Sequence, residues 1–233
     1  MPLFVLPHRE GSAAENMAHD FLLLQHARAG CPVLRHYGWR EPAFTFGLSQ
    51  AISYVRAQLP PGSFDLCRRP SGGGLVDHRN DWTFGLVFPR GHFLCEMDAR
   101  ESYRIVHEAV AGALRNQGED VMLRMPEETD RPHAPQVCFD LAEVYDVIRA
   151  DGQKVAGAAQ KRNKHGLLIQ GSIERGRLSA GLEWQRFETE FAELLARAAG
   201  EADAESSPWP EFPEGLEDQL VAHYSSDEWI ARR

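Results

Sequence analysis

The sequence predicts an α+β fold rather than a doubly wound parallel sheet. Three amphipathic helical segments lie far apart, many short β-rich runs fill the intervals, and several of those runs are joined by hairpin-type turns. With 233 residues the chain can bury a substantial core, and the expectation is one catalytic domain over 1–233 with no separate carboxy-terminal accessory domain.

Ser12-Ala13-Ala14-Glu15 is a capping-box pattern, and Met17, Phe21, Leu22 and Leu24 follow it, so a first helix runs to about residue 29, where Gly30 stops it. Val33 to Tyr37, Ala43 to Phe46 and Asp65 to Arg69 are short β-rich runs, with Pro60-Pro61-Gly62 marking a loop. Trp82 to Phe88 is the strongest strand candidate. Asp98 caps a second long helix that carries Ile105, Val106, Val110, Ala113 and Leu114 on one side. Met125 to Pro135 is polar and proline-bearing, a surface loop leading into an extended run at Val144 to Ile148. Asp151-Gly152 then supplies a hairpin turn of the favoured type. The returning strand carries Gln153 to Gly157, a basic turn holds Lys161, Arg162 and Lys164, and Leu167 to Ile173 completes a meander. A third helix, about Glu183 to Ala199, presents Phe187, Phe191, Leu194 and Leu195, and the proline-rich Ser206 to Pro213 connects it to a short terminal helix.

A formal net charge of -9 provides no global field for a polyanion, which removes nucleic acid as a partner. Attraction to an acidic protein has to be local; Lys161, Arg162 and Lys164 form either a docking face for such a carrier or an ordinary solvated loop. Met1 to Glu10 lacks the apolar run of a signal peptide and no segment approaches membrane-spanning length, so the expected location is the cytoplasm, without membrane contact. Cys31, Cys67, Cys95 and Cys138 are dispersed, with no CxxC pair and no histidine at ligand spacing, so neither a metal site nor a disulfide framework is expected.

Two blocks carry the chemistry. Between two β-rich runs the chain reads Arg68-Arg69-Pro70-Ser71-Gly72-Gly73-Gly74-Leu75-Val76-Asp77-His78. Three consecutive glycines have no Cβ to obstruct an approach, so their amides can close on a carbonyl, carboxylate or phosphate, with arginines alongside to reinforce negative charge. Gly-Gly-Gly alone is more often a flexible surface loop; the order of arginines, glycines and histidine reverses that and favours the ligand reading. The second block is Gly152-Gln153-Lys154-Val155-Ala156-Gly157-Ala158-Ala159-Gln160, followed by Gln170-Gly171-Ser172. One lysine among small residues on a strand suits a cationic group reaching into a ligand tunnel, set against the plainer reading of an edge-strand lysine that discourages aggregation.

The glycine-rich block, Asp81-Trp82-Thr83-Phe84, the Lys154-x-x-Gly157-x-Ala159-Gln160 block and Gln170-Gly171-Ser172 together resemble the lipoate-protein ligase and octanoyltransferase family, related in fold to biotin protein ligases. The resemblance extends through Asn16-Met17-Ala18-His19-Asp20, Trp39 and Gly47 to Gln50 to the closing Ser226-Asp227-Glu228-Trp229. It implies a fold of the class II synthetase and biotin ligase type, a mixed and mostly antiparallel sheet packed with helices, with a tunnel for an eight-carbon chain. It also implies Lys154 as partner of the acyl carbonyl or oxyanion and Arg69, Ser71, Gly72, Gly73, Gly74, Val76, His78, Gly157 and Ala158 as the substrate-binding set. His78 is open to two roles, proton transfer or pocket wall. The sequence departs from the family pattern at Leu141-Ala142-Glu143, where a proline is usual, and at Gly85, where a small hydroxyl residue is usual.

Val137-Cys138-Phe139-Asp140 resembles the cysteine-dependent octanoyltransferases, in which the matching cysteine becomes acylated, whereas ligases of the family typically lack a cysteine there. The resemblance therefore implies Cys138 as nucleophile, against the plainer reading of a buried structural thiol. Exchange between carrier thiol and enzyme thiol costs little free energy and the final attack by a lysine amine is downhill, so no cofactor is required. The implied donor is octanoyl-acyl carrier protein or a lipoylated carrier, and the implied acceptor a lipoyl domain or the glycine-cleavage carrier protein. Two alternatives remain: an ATP-dependent lipoate-protein ligase using ATP and Mg, with Cys138 a bystander, and a silent module that binds an acyl chain or lipoyl protein without turnover.

Overall fold

The computed structural model describes residues 1–26, 30–127 and 142–232. In chain order its strands are β1 (Leu3–Gly11), β2 (Val33–Trp39), β3 (Ala43–Phe46), β4 (Asp65–Arg68), β5 (Val76–Asp77), β6 (Asp81–Pro89), β7 (Val121–Leu123), β8 (Val147–Arg149), β9 (Lys154–Asn163), β10 (Gly166–Glu174) and β11 (Ala204–Ser206). The helices are α1 (Ala13–His26), α2 (Ile52–Gln58), α3 (Phe93–Glu96), α4 (Ala99–Arg115), α5 (Trp184–Ala198), α6 (Leu216–Ser225) and α7 (Asp227–Ala231).

Eight strands form one sheet in the order β11-β1-β2-β6-β10-β9-β8-β7. The β11–β1 and β1–β2 pairs are parallel, and every pair from β2 to β7 is antiparallel, the mixed and mostly antiparallel arrangement expected of an α+β fold. Alternation along β6 and β10 divides the sheet into two working faces. Trp82, Phe84, Leu86 and Phe88, with Leu167, Ile169 and Ile173, enter a core closed by Val106, Val110 and Leu114 of α4 and Phe187 and Phe191 of α5. Val87 and Leu168 point the other way, against Leu23 and Leu24 of α1. The site is built on this second face.

Gly171 illustrates how one glycine serves both sides. It pairs with Phe84 in register, and a Cβ on it would lie 2.1 Å from the Phe84 ring, so the ring occupies the space a side chain would need while Gln170 and Ser172 point to the site face. Gly85 has a similar cause: a Cβ there would lie 2.5 Å from Asp20 Oδ1, so the small hydroxyl residue usual at this position has no room.

A three-stranded sheet, β4-β3-β5, carries the glycine loop between β4 and β5 and packs through Phe44, Phe46, Val55 and Leu75. The α6–α7 pair closes over α1 and β4 through Tyr224, Trp229, Met17 and Cys67. Buried Arg68 fixes that closure: its guanidinium donates to the carbonyls of Leu48, Gln50, Trp229 and Ile230.

The capping box forms as expected, with the Ser12 amide on Glu15 Oε2 at 2.7 Å and the Glu15 amide on Ser12 Oγ at 3.2 Å. Asp98 caps α4 through the Arg100 amide at 2.8 Å. Three features differ from the sequence-based expectation or lie outside it. The amino-terminal segment is a strand, β1, whose register slips between Leu6 and Arg9 around Pro7, and that interruption hides its period in the sequence. Helix α2 was not anticipated, because seven residues with no side-chain cap leave little local signal. The basic turn is smaller than expected: β9 continues through Lys161 and Arg162, and Arg162 reaches the carbonyls of Leu94 and Cys95 and the Ser102 hydroxyl, so it braces α3 and α4.

Candidate active site

The cavity lies across the second face of the large sheet, with about 440 Å³ of space when the solvent at its open mouth is counted in. Register lays two rows of residues beneath it. Tyr37, Thr83, Ser172 and Gly157 face one another across β2, β6, β10 and β9, and Arg35, Gly85, Gln170 and Ala159 form the next row. At the β9 end Lys154 folds over Gly157, where a Cβ would sit 2.5 Å from its Cε. Glycine at 157 is what lets the lysine stem lie against the strand.

Lys154 is buried and its Nζ lies 2.8 Å from Asp146 Oδ2. Asp146 is fully buried; its other oxygen accepts the Tyr103 hydroxyl, and Oδ2 also accepts the Glu143 amide at 2.6 Å. The edge-strand reading of this lysine is thereby set aside, since an aggregation guard would be exposed.

At the β2 end the Trp39 and His78 rings stack with centroids 4.1 Å apart. Both nitrogens of His78 are engaged, Nε2 with Thr45 Oγ1 and Nδ1 with Asp81 Oδ2, each at 2.7 Å. Asp81 Oδ2 also accepts the hydroxyls of Thr83 and Ser172, and Trp39 Nε1 donates to Thr83 Oγ1 at 2.9 Å. This geometry makes His78 a braced wall; its nitrogens are spent on the wall itself, which argues against proton transfer.

The glycine loop is held from behind. Arg69 donates to Thr45 Oγ1 and to the carbonyls of Gly72 and Gly74, at 2.8–2.9 Å. Its charge orders the loop, a different task from the ligand pairing suggested by its position in the sequence. Ser71 Oγ donates to Gln170 Oε1 at 2.5 Å, and Gln170 Nε2 donates to Asp20 Oδ2 at 2.7 Å. Asp20 in turn accepts Arg35 Nε at 2.7 Å and the Tyr37 hydroxyl at 3.2 Å. Burial, with Asp20 close by, pushes the Tyr37 phenol well above its ordinary range and keeps it a donor.

Of the residues nominated from the sequence, Arg69, Val76, His78, Lys154, Gly157 and Ala158 line the cavity; Ser71 and Gly72 to Gly74 adjoin it through Arg69 and Gln170. Cys138 lies outside the described residues. Cys67 is buried against Tyr224, and burial pushes its thiol up, opposite to the need of a nucleophile. Sequence reasoning missed Asp146, Tyr103 and the carboxyl network of Asp20 and Asp81. Among the described residues there is no cluster of three side chains that could hold a metal, and no helix is long and apolar enough to cross a membrane.

The backbone that carries this site is that of the lipoate-ligase class. It matches a lipoate-protein ligase A solved with ATP at TM-score 0.71 and 21% identity over 99% of each chain. It also matches a T. acidophilum protein solved with bound lipoic acid at TM-score 0.73 and 20% identity, over 99% of this chain and 100% of that one. Residues 12–175 match the model of the lipoyl protein ligase A/B catalytic domain, and the chain belongs to that family. Relatives within it include octanoyltransferase LipM of Kyrpidia tusciae, 30% identical over 96% of both chains. The same-named protein of Bacillus subtilis is 33% identical over 70% of this chain and 61% of its own length.

Proposed function

We propose that this chain moves an octanoyl group from a thioester carrier, by way of Cys138, to a lysine of a lipoyl-domain protein. One observation carries most of the reading: the cavity has a lysine at its β9 end and an aromatic wall at its β2 end. Those strands are three spacings apart, roughly 14 Å before side chains intrude. An extended eight-carbon acyl chain, with bonds near 1.5 Å, is about 9 Å long. The carbonyl then lies by Lys154 and the terminal methyl toward Tyr37 and Trp39. The naming of relatives as octanoyltransferases supports octanoyl as the group carried.

In the first step the Cys138 thiolate attacks the donor thioester, and the carrier leaves as its thiolate, which takes a proton from solvent. In the second the neutral acceptor amine attacks the acyl-cysteine, an amide forms as the C–S bond breaks, the cysteine leaves as its thiolate and the amine's proton passes to solvent. An ammonium has three donors, so Lys154 can hold Asp146 and an acyl oxygen together while the negative charge develops. The donor is octanoyl-acyl carrier protein or a lipoylated carrier, and the glycine-cleavage carrier protein is an acceptor of the same kind.

This route needs no nucleotide. Among the described residues the two cations that line the cavity are already engaged, Arg69 with Thr45 and two loop carbonyls and Lys154 with Asp146, which favours a neutral thioester over a triphosphate. The test is intact-protein mass after incubation with octanoyl-acyl carrier protein without ATP, for the native chain and Cys138→Ser. One octanoyl adduct, labile to hydroxylamine and absent from the variant, is the expected result. No adduct, with lipoate-dependent release of pyrophosphate from ATP, would replace this reading with a ligase.

A further inference from the structure

Tyr103 stands on α4 behind the reaction cavity, outside every motif in the sequence. Its hydroxyl donates to Asp146 Oδ1 and accepts the Ala158 amide at 3.0 Å. Asp146 holds Lys154 through its other oxygen, and Ala158 is part of the cavity wall. One phenol oxygen therefore joins the carboxylate behind the lysine to the surface on which the acyl chain lies.

The backbone around it explains why a side chain is needed there. Among the described residues the β8–β9 pairing reaches only as far as Ala156, opposite Val147, so there the next outward amide of β9, that of Ala158, has no partner strand. The Ala158 amide is partly buried, where a missing acceptor is costly, and the Tyr103 oxygen supplies one. On the other side Tyr145 takes a left-handed conformation, φ 70, in a residue type that rarely adopts it. The Tyr145 amide donates to the Arg124 carbonyl and the Arg124 amide to the Asp146 carbonyl, so the kink is flanked by main-chain bonds. The left-handed residue thus immediately precedes the carboxylate that Lys154 and Tyr103 share.

His107, one turn along α4, is wholly buried and sets its ring edge-on to Tyr103 at 4.0 Å. Burial pushes its pKa down to about 4, so at neutral pH it packs the phenol without adding charge. Among the described residues the charges facing one another here are Lys154 and Asp146, and the carboxylate also accepts the Glu143 amide.

We propose that Tyr103 is a positioning residue for acyl transfer: through Asp146 it fixes Lys154 Nζ against the cavity wall at Ala158. The proposal rests on the reading of Lys154 as partner of the acyl carbonyl. A displacement of about 1 Å at such a group lowers turnover by as much as about 100-fold. Tyr103→Phe keeps the ring and removes only the shared oxygen. It is expected to lower kcat by about 10- to 100-fold with the donor KM within about twofold of native.

The second readout is chemical and independent of turnover. The chain has three lysines, Lys154, Lys161 and Lys164, so cyanate carbamylation followed by peptide mass mapping reports Lys154 against two internal references. In the folded native chain Lys154 is expected to react more slowly than the other two. Its relative rate should rise severalfold in Tyr103→Phe and further in Asp146→Asn, with unfolding midpoints recorded to confirm that both variants are folded. An unchanged relative rate in folded Tyr103→Phe overturns the proposal, whatever happens to kcat. If the native chain transfers no octanoyl group yet Lys154 labelling still responds to Tyr103→Phe, the positioning stands and the reading of the reaction falls.

Discussion

Gly47 and Gly73 meet backbone to backbone: a Cβ on Gly47 would stand 2.0 Å from the Gly73 carbonyl oxygen. Beside them the Leu48 amide donates to the Ser71 carbonyl at 2.9 Å. The glycine loop is thus seated on the segment that follows β3, with Arg69 holding its carbonyls from the opposite side. Gly73 has φ +87, a conformation that only glycine adopts without strain.

Gly47→Ala is therefore expected to dislodge the loop while leaving the large sheet alone. The displaced atom is a backbone carbonyl, which has no rotamer by which to escape, so the cost falls in the overpacking range of about 1–3 kcal/mol. Donor KM should rise more than the unfolding midpoint falls. A variant with native donor KM would show that the loop's seat does not control the cavity.

Gly171→Ala tests the opposite face of the same sheet. The new methyl would meet the Phe84 ring, a flat wall buried among Phe191 and Trp82, and not the flexible end of a chain. Destabilisation of about 1–3 kcal/mol is expected from urea unfolding. Restoring space with Phe84→Leu in the same chain should recover part of the loss; no recovery would mean that the ring is not the obstacle.

Asp20→Ala removes the carboxylate that Arg35 Nε, the Tyr37 hydroxyl and the Gln170 amide share. Arg35 is fully buried, so the variant leaves an uncompensated guanidinium in the core, at a cost of about 3–5 kcal/mol. Gln170 also loses the partner that sets its amide orientation, and with it the acceptor for Ser71. Loss of stability comparable to an exposed carboxylate deletion, measured by denaturant unfolding, would contradict this account.

The fold class, the long helices and the meander were legible because each rests on local pattern: the Ser12–Glu15 box, the Asp98 cap and the alternation from Trp82 to Phe88. Lys154 was legible because small residues surround it in sequence. Asp146 was not, since its pairing depends on a left-handed Tyr145 that no propensity favours. Tyr103 looked like any residue of an amphipathic helix; its function arises where β8 stops pairing with β9, a matter of sheet geometry 55 residues away. Arg68 and Arg69 were recognisable as important, but apart from Thr45 Oγ1 their targets are main-chain carbonyls, which carry no sequence signal.

Two histidines, His107 wholly buried and His36 partly so, set a dependence of stability on pH. His36 stacks on Trp82 and its Nδ1 donates to the Thr83 carbonyl at 2.9 Å; His107 lies wholly buried in the core between α4 and the sheet. Burial is the main cause in each case, and it lowers both from 6.5 to about 4. Between those values the unfolded chain takes up protons that the native rings refuse, so a fall in pH favours unfolding across that window. Stability is then full above about pH 6.5 and is lost progressively as the pH falls toward 4, by an amount on the order of 3 kcal/mol for each ring. Urea midpoints at pH 7 and pH 5 should show the drop, and His107→Leu should reduce it, because leucine fills a similar space and brings no proton acceptor. The same pH 5 to 7 difference in native and variant would exclude His107 as a source of the acid sensitivity and leave it to His36 and to His19, whose buried ring is also shifted down.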